Sequence, residues 1–213
     1  MHEPVPLGRL VRHGGLAFVQ ACIRVALDVR PQSPWIPFDA AARLKAFLRN
    51  RSGARVLEYG SGMSTLWLAR HASHVVSVES DPAWAGKVRA LLKAHDLQRK
   101  VRLVYTTRPH DYVYVAGVAP GAVDLVVVDG DHRLDCGLHA LRTCRPDGVI
   151  YVDDSDMRAR SPEIMKLVEA VTSYASAAGG ACETITDFSP TQAFPKQGLV
   201  AWLSSGTMTV PAR

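Results

Sequence analysis

Val56-Leu57-Glu58-Tyr59-Gly60-Ser61-Gly62-Met63-Ser64-Thr65-Leu66-Trp67-Leu68-Ala69 begins as an apolar run, meets an acid, crosses two glycines one residue apart and re-emerges with helical spacing. That is the pattern of a strand, a tight glycine turn and a helix N-terminus, where backbone bare of side chains comes close to a small ligand. A second apolar run, Val75-Val76-Ser77-Val78, closes on Glu79. An acid at that place in a βαβ unit meets a ribose diol. Together the two stretches point to a ligand that contains a nucleoside.

A dinucleotide fingerprint carries a third glycine three residues after the second, where helix and strand close around a pyrophosphate. Here Thr65 holds that position, and Glu58 stands two residues before the first glycine. A carboxylate repels a pyrophosphate and attracts an ammonium. S-adenosylmethionine carries such an ammonium, together with a sulfonium and no phosphate. The Glu-x-Gly-x-Gly turn followed by Glu79 resembles the class I S-adenosylmethionine-dependent methyltransferases, and the resemblance runs from Pro34 to the C-terminus. It implies S-adenosylmethionine as cofactor, held by Glu58, Gly60, Ser61, Gly62 and Glu79, with Ser64, Ser80 and Asp129 beside them.

The chain's 213 residues suffice for one sizeable α/β domain. An apolar share of 47% and a charged share of 21% are ordinary for a globular protein. Cys22, Cys136, Cys144 and Cys182 are scattered with no Cys-x-x-Cys pair, which speaks against zinc or a disulfide framework and suits a reducing compartment. The net charge of +5 comes without a basic run or a basic-aromatic stripe, so no nucleic-acid partner is expected. Met1-His2-Glu3-Pro4 does not open a secretory signal, and the uncharged stretch Gly14 to Ile23 is too short for a membrane span. The expected location is cytoplasmic.

Leu7, Leu10, Val11, Phe18, Ala21, Cys22, Val25 and Val29 recur at helical spacing with Arg9, Arg12 and Arg24 between them, and Gly14-Gly15 divides the run. This reads as an amphipathic helix packed on the core or on a second subunit, a route to a homo-oligomer. A proline-rich link, Pro31 to Pro37, leads to a helix expected from Asp39, as N-cap, through Asn50. Residues 1–50 therefore read as an N-terminal helical extension and linker, and 51–213 as the main domain.

Strands are expected at Arg55–Tyr59, His74–Glu79, Val101–Tyr105, Val123–Asp129 and Val149–Asp153. Helices alternate with them at Met63–His71, Pro82–His95, Leu134–Cys144 and Pro162–Ala178. Unbroken apolar runs such as Leu125-Val126-Val127-Val128 suit strands covered on both faces. Cys182–Asp187 and Gly198–Ser204 follow with no helix between them, as the resemblance implies for a last strand inserted antiparallel beside the fifth. The expected fold is α/β: a doubly wound, seven-stranded, mostly parallel Rossmann-like sheet with an antiparallel last strand.

Two further strand ends carry acids, in Val128-Asp129-Gly130-Asp131-His132-Arg133 and Tyr151-Val152-Asp153-Asp154-Ser155. Carboxylates converging at one site raise one another's pKa values unless a cation joins them, and Mg²⁺ takes oxygen ligands of this kind. The arrangement resembles the metal-dependent O-methyltransferases of the macrocin and antibiotic-sugar type, and more distantly the catechol and caffeoyl-CoA type. That resemblance implies Mg²⁺ on Asp129, Asp153 and Asp154, Asp131 as general base, and a small-molecule hydroxyl on a sugar, phenol or diol as methyl acceptor. His132, directly after Asp131, is a second candidate base, because imidazole titrates near neutrality.

Blander roles stand beside these. Asp129 accepts from the cofactor's ammonium, Asp153 caps a turn, or Asp154 opens a loop. Loops expected to face the acceptor are Thr106–Gly121 with Tyr112 and Tyr114, Ser155–Ser161 with Arg158 and Arg160, and Phe188–Gln197 with Phe194 and Lys196. Tyr112 and Tyr114 also fit one face of a short strand, while Trp67 and Trp84 read as core. The remaining alternatives are a metal-independent methyltransferase, a non-catalytic S-adenosylmethionine-binding protein, a nucleic-acid methyltransferase and a nicotinamide oxidoreductase. Against the third, no Asn-Pro-Pro-Tyr or Asp-Pro-Pro-Tyr motif follows the fourth strand; Glu58 and Thr65 disfavour the last.

Overall fold

Successive side chains of β1 (Arg55–Tyr59) point into two different cores. Leu57 and Tyr59 join Val126, Val128, Ile150 and Val152 on one face of the sheet, whereas Val56 joins Leu125, Val127, Val149 and Tyr151 on the other. This is the period-two geometry of a strand buried on both sides. A computed structural model describes residues 7–27, 32–190 and 192–204. Val29 of the first helix, Pro31 of the link and residues 205–213 of the main domain lie outside the described residues.

The sheet has seven strands in the order β3-β2-β1-β4-β5-β7-β6. They are β1, β2 (His74–Glu79), β3 (Val101–Tyr105), β4 (Val123–Val128), β5 (Cys144–Val152), β6 (Ala181–Asp187) and β7 (Lys196–Trp202). β1 to β5 are parallel, and β7 runs antiparallel to both β5 and β6. Strand order reverses between β1 and β4, which opens a crevice at their carboxyl ends.

Before the sheet come α1 (Leu7–Arg9), a π-helical stretch over Leu10–Gly14, α2 (Gly15–Leu27) and α3 (Phe38–Arg49). The helices within and after it are α4 (Met63–His71), α5 (Pro82–Ala94), α6 (Pro109–Val113), α7 (Arg133–Thr143) and α8 (Pro162–Ala177). Ala40, Leu44, Phe47 and Leu48 of α3 share one core with α4 and α5, while α7 and α8 cover the opposite face. Gly14-Gly15 changes the hydrogen-bond pattern from π to α without ending the helix. Most large apolar side chains of this N-terminal helix are exposed, and Ala17 alone among its described side chains is fully buried.

Some local expectations need correction. Asp39 is not the N-cap of α3: the helix starts at Phe38 behind Pro37. The Asp39 carboxylate instead takes Arg9 Nε at 2.5 Å, and Asp187 Oδ2 accepts from the Asp39 N–H at 3.1 Å. The anion at the helix N-terminus thus comes from the end of β6. Tyr112 and Tyr114 form no strand, because Pro109 starts the short α6 there; Tyr112 is buried and Tyr114 exposed. No helix among the described residues is long and apolar enough to cross a membrane.

Candidate active site

The turn after β1 is held against the turn after β4 backbone to backbone. Gly60 has φ +91°, and a Cβ there would stand 2.8 Å from both Cα and N of Gly130. Gly130 is as confined, since its own Cβ would meet the Tyr112 hydroxyl and the Gly60 backbone. The Gly60 N–H donates to the Val78 carbonyl and the Asp129 N–H to the Tyr59 carbonyl, each at 3.0 Å, so neither turn is free to move aside. Gly62 then stands extended at the N-cap of α4, with its N–H donating to Thr65 Oγ1 at 2.9 Å.

Glu58 lies beneath this turn and does not line the crevice. It is fully buried; Oε2 accepts from Thr65 Oγ1 at 2.5 Å and from Ser77 Oγ at 2.6 Å, while Oε1 has no hydrogen-bond partner among the described residues. Burial pushes the carboxyl up to about 7 against the pull of the Ser64, Ser77 and Thr65 hydroxyls, and the charge of Glu79 adds to the rise. The native state therefore holds a proton that the unfolded chain releases, and stability from this group is present below 4.5 and lost as pH rises through about 7. Glu58→Gln is expected to flatten that loss, which amounts to roughly 3 kcal/mol at most. Urea unfolding of both proteins across this window checks it. The slope with pH is the readout, because the Gln amide N–H₂ meets no acceptor where Oε1 sits.

Glu79 closes one end of the crevice and is held from four directions. Oε2 accepts from the Ser61 N–H at 3.1 Å and Ser61 Oγ at 2.7 Å; Oε1 accepts from the N–H groups of Ser80 and Asp81, both at 2.9 Å. Of these donors only the Ser61 hydroxyl rotates freely, so it is the one a ligand hydroxyl can replace. The crevice is lined by residues 60–64, Glu79 and Ser80, by residues 129–131, and by Trp35, Trp84 and Tyr112. Trp84 Nε1 donates to the Ser61 carbonyl at 2.7 Å, fixing the indole as a wall. Asp131 is exposed at the rim, accepting from Ser80 Oγ at 2.6 Å. His132, left-handed at φ +50°, turns its ring edge-on to Tyr112 and does not line the crevice.

Behind Asp129 the acids of β4 and β5 converge: Asp129, Asp153 and Asp154 offer oxygens within 4.8 Å of one another. Cations already stand among them. Lys196 Nζ lies 2.5 Å from Asp153 Oδ2 and 3.1 Å from Asp154 Oδ1, and Arg133 Nη2 lies 3.1 Å from Asp129 Oδ1 and 3.4 Å from Asp154 Oδ2. The Tyr151 hydroxyl donates to Asp153 Oδ1 at 2.6 Å. Burial works against the Lys196 charge, but Asp153, Asp129 and Asp154 outweigh it and hold the ammonium above its ordinary value. Burial and the adjacent Asp153 push the Asp129 carboxyl up, with Lys196 and Arg133 opposing.

Residues 57–155 match the family model described as a methyltransferase domain. They run from β1 to the start of the loop after β5 and contain both glycine turns, Glu79 and the acidic cluster. Over these residues the chain is similar to methyltransferase domains. No curated protein matches it in sequence. Among solved structures, the methyltransferase fold recurs in the O-methyltransferase TomG of Streptomyces achromogenes, involved in tomaymycin synthesis and solved with S-adenosylmethionine. Identity there is 20%, the TM-score 0.62, and the match covers 89% of each chain. An O-methyltransferase of Bacillus cereus in complex with S-adenosylhomocysteine matches at 17% identity and a TM-score of 0.64, over 88% of this chain and 90% of that one. Cofactor-bound Rv0187 from MTB matches at 21% identity and a TM-score of 0.62, over 96% and 100%.

The residues read as metal ligands do come together, yet they do not fit a divalent cation. Mg²⁺ demands an open octahedron of oxygens at short range. Here Lys196 and Arg133 leave three carboxylates one charge short of neutral, and both Asp153 oxygens are engaged. Sequence reading missed these two counter-ions in that role, as well as Trp35 and the wall formed by Trp84. Arg133 follows Asp129 by four residues, a signal for pairing across the start of a helix. Lys196 gave no such signal.

Proposed function

We propose that this protein transfers a methyl group from S-adenosylmethionine to a hydroxyl of a small molecule. The reading rests on the cradle itself: Gly60 and Gly130 bring two backbones together where no Cβ fits, with Glu79 fixed beside them and acids at the end of β4. The ligands named for TomG and the Bacillus cereus enzyme support the same cofactor. When bound, S-adenosylmethionine supplies a methyl group on a sulfonium; the acceptor oxygen forms the new C–O bond as the S–C bond breaks, and the thioether leaves with the electron pair.

The chain's own groups bind, align and take up a proton. Glu79, oriented by backbone N–H groups, accepts from the ribose hydroxyls once Ser61 Oγ turns away. Asp129, one-third exposed at the crevice, offers negative charge to the cofactor's cationic part. Alignment supplies much of the rate for a displacement whose leaving group is already good. Of the two candidate bases, Asp131 lines the crevice and His132 does not, so we assign proton removal from the acceptor to Asp131.

Calorimetry tests the reading. Both S-adenosylmethionine and S-adenosylhomocysteine are expected to bind saturably. Glu79→Ala is expected to weaken both by about 10- to 100-fold, the loss of hydrogen bonds to a charged acceptor. Absence of heat from either compound with the unaltered protein overturns the proposal, and tighter binding of NADH would point to an oxidoreductase instead.

A further inference from the structure

Resting on the methyl-transfer reading of this site, we propose that Lys196 stands in the place of a divalent cation. The reaction then runs without a metal, and Lys196 is a positioning residue that ties Asp153 and Asp154 to the Trp35 wall of the crevice. The ammonium donates to Asp153 Oδ2 at 2.5 Å and to the Trp35 carbonyl at 3.2 Å, and it pairs ionically with Asp154 Oδ1 at 3.1 Å. Its side chain is 11% exposed. It opens β7, whose antiparallel pairing with β5 brings this end of the strand beside the end of β5.

Arg133 completes the arrangement from the other side. Besides the Asp129 and Asp154 carboxylates, it donates to the carbonyls of Gly130 and Asp153, so it is fastened to both strand ends. A metal entering between the three acids would have to expel a buried ammonium from Asp153, with no vacant acceptor in view. Removing one partner of a buried pair is strongly unfavourable. Two fixed cations thus supply the positive charge a hard metal would otherwise bring.

A consequence follows for the acceptor. A metal favours vicinal diols because two oxygens chelate it; a crevice whose cations are internal gives a diol no such advantage. The acceptor class is therefore one in which a single hydroxyl suffices.

The test uses the full chain, freed of metal by EDTA, and follows thermal unfolding with increasing MgCl₂ or MnCl₂. The unaltered protein is expected to melt at the same temperature throughout. Lys196→Met leaves the acids with Arg133 alone and is expected to gain a melting temperature that rises with metal. The rise is about 5–10 °C at about 100 times the dissociation constant. Lys196→Arg, which restores the charge, is expected to stay indifferent to metal. The proposal is overturned if the unaltered protein is stabilised by metal and Asp153→Asn abolishes the effect, or if Lys196→Met folds and ignores metal.

Should Lys196→Met fail to fold, electron paramagnetic resonance of Mn²⁺ with the unaltered protein decides. An undiminished free-ion signal supports the proposal, and loss of that signal at stoichiometric Mn²⁺ refutes it. S-adenosylmethionine titrations on the same metal-free samples keep the two ideas apart. Silence there removes the methyl-transfer reading, whereas the metal response alone judges Lys196.

Discussion

Replacing Asp153 by asparagine is expected to lower the unfolding free energy by about 3–5 kcal/mol, the range for breaking a buried ion pair by removing one partner. Asp153 is fully buried, with the Tyr151 hydroxyl on one oxygen and Lys196 on the other. Asparagine keeps one acceptor and sets an N–H₂ against either a hydroxyl poised to donate or an ammonium. Lys196 then keeps Asp154, one-third exposed, as its ion-pair partner, with the charge of Asp129 acting from farther away. For a domain of this size the loss corresponds to a fall of about 6–20 °C in melting temperature. Asp154→Asn, at a wetter position, is expected to cost about 1 kcal/mol or less. The sign of the Asp153 effect carries the most information. In an open cluster of three acids awaiting a metal, neutralising one relieves repulsion and raises the melting temperature of the metal-free protein. Thermal melts of both variants without metal separate the two pictures, and a stabilised Asp153→Asn would sink the internal ion pair.

The frame of this molecule was legible because its strands are buried on both faces. β1, β2 and β3 begin and end at the residues that their sequence pattern marks. β5 starts earlier than its apolar run because Cys144 pairs with Val123 before the register shifts to Leu125 and Val149; the intervening Pro146-Asp147-Gly148 reads as a turn in sequence. What sequence did not disclose lies in contacts between distant segments. Asp187 meets the start of α3 across 148 positions, and Lys196 meets Asp153 across 43. Nothing local in either stretch marks its partner. Trp84 illustrates a subtler limit: helical spacing assigns it to the core, and part of its ring is buried there. The indole N–H decides its place at the crevice, and its acceptor is a carbonyl in the glycine turn. Glu58 stands before the glycines in sequence, but whether it faces a ligand or hides beneath the turn depends on Thr65 and Ser77, whose hydroxyls hold it below.

Gly60→Ala is expected to destabilise the protein by about 2–5 kcal/mol, combining left-handed backbone strain with overpacking. It should also weaken S-adenosylmethionine binding by at least about 100-fold. The methyl group would stand 2.8 Å from Gly130 Cα and N, and backbone atoms cannot swing aside as a side chain end does. Retreat of the Gly60 turn would break its hydrogen bond to the Val78 carbonyl, and retreat of the Gly130 turn would strain the bond from Asp129 to Tyr59. Both moves also displace the Ser61 N–H from Glu79, which is how a change in the turn reaches the acid proposed to hold the ribose. Gly62→Ala is the control. That residue is extended, and a Cβ there finds Ser64 Oγ at 3.8 Å and Trp84 Nε1 at 4.0 Å, so the fold should lose no more than about 1 kcal/mol, the N-cap preference. Its added methyl group matters only to a ligand lying against the turn. Calorimetry and urea unfolding on both variants therefore divide the work of the two glycines, Gly60 for the chain's own closure and Gly62 for the ligand's approach. If Gly60→Ala binds the cofactor and unfolds like the unaltered protein, the two turns are not in contact and the cradle does not exist.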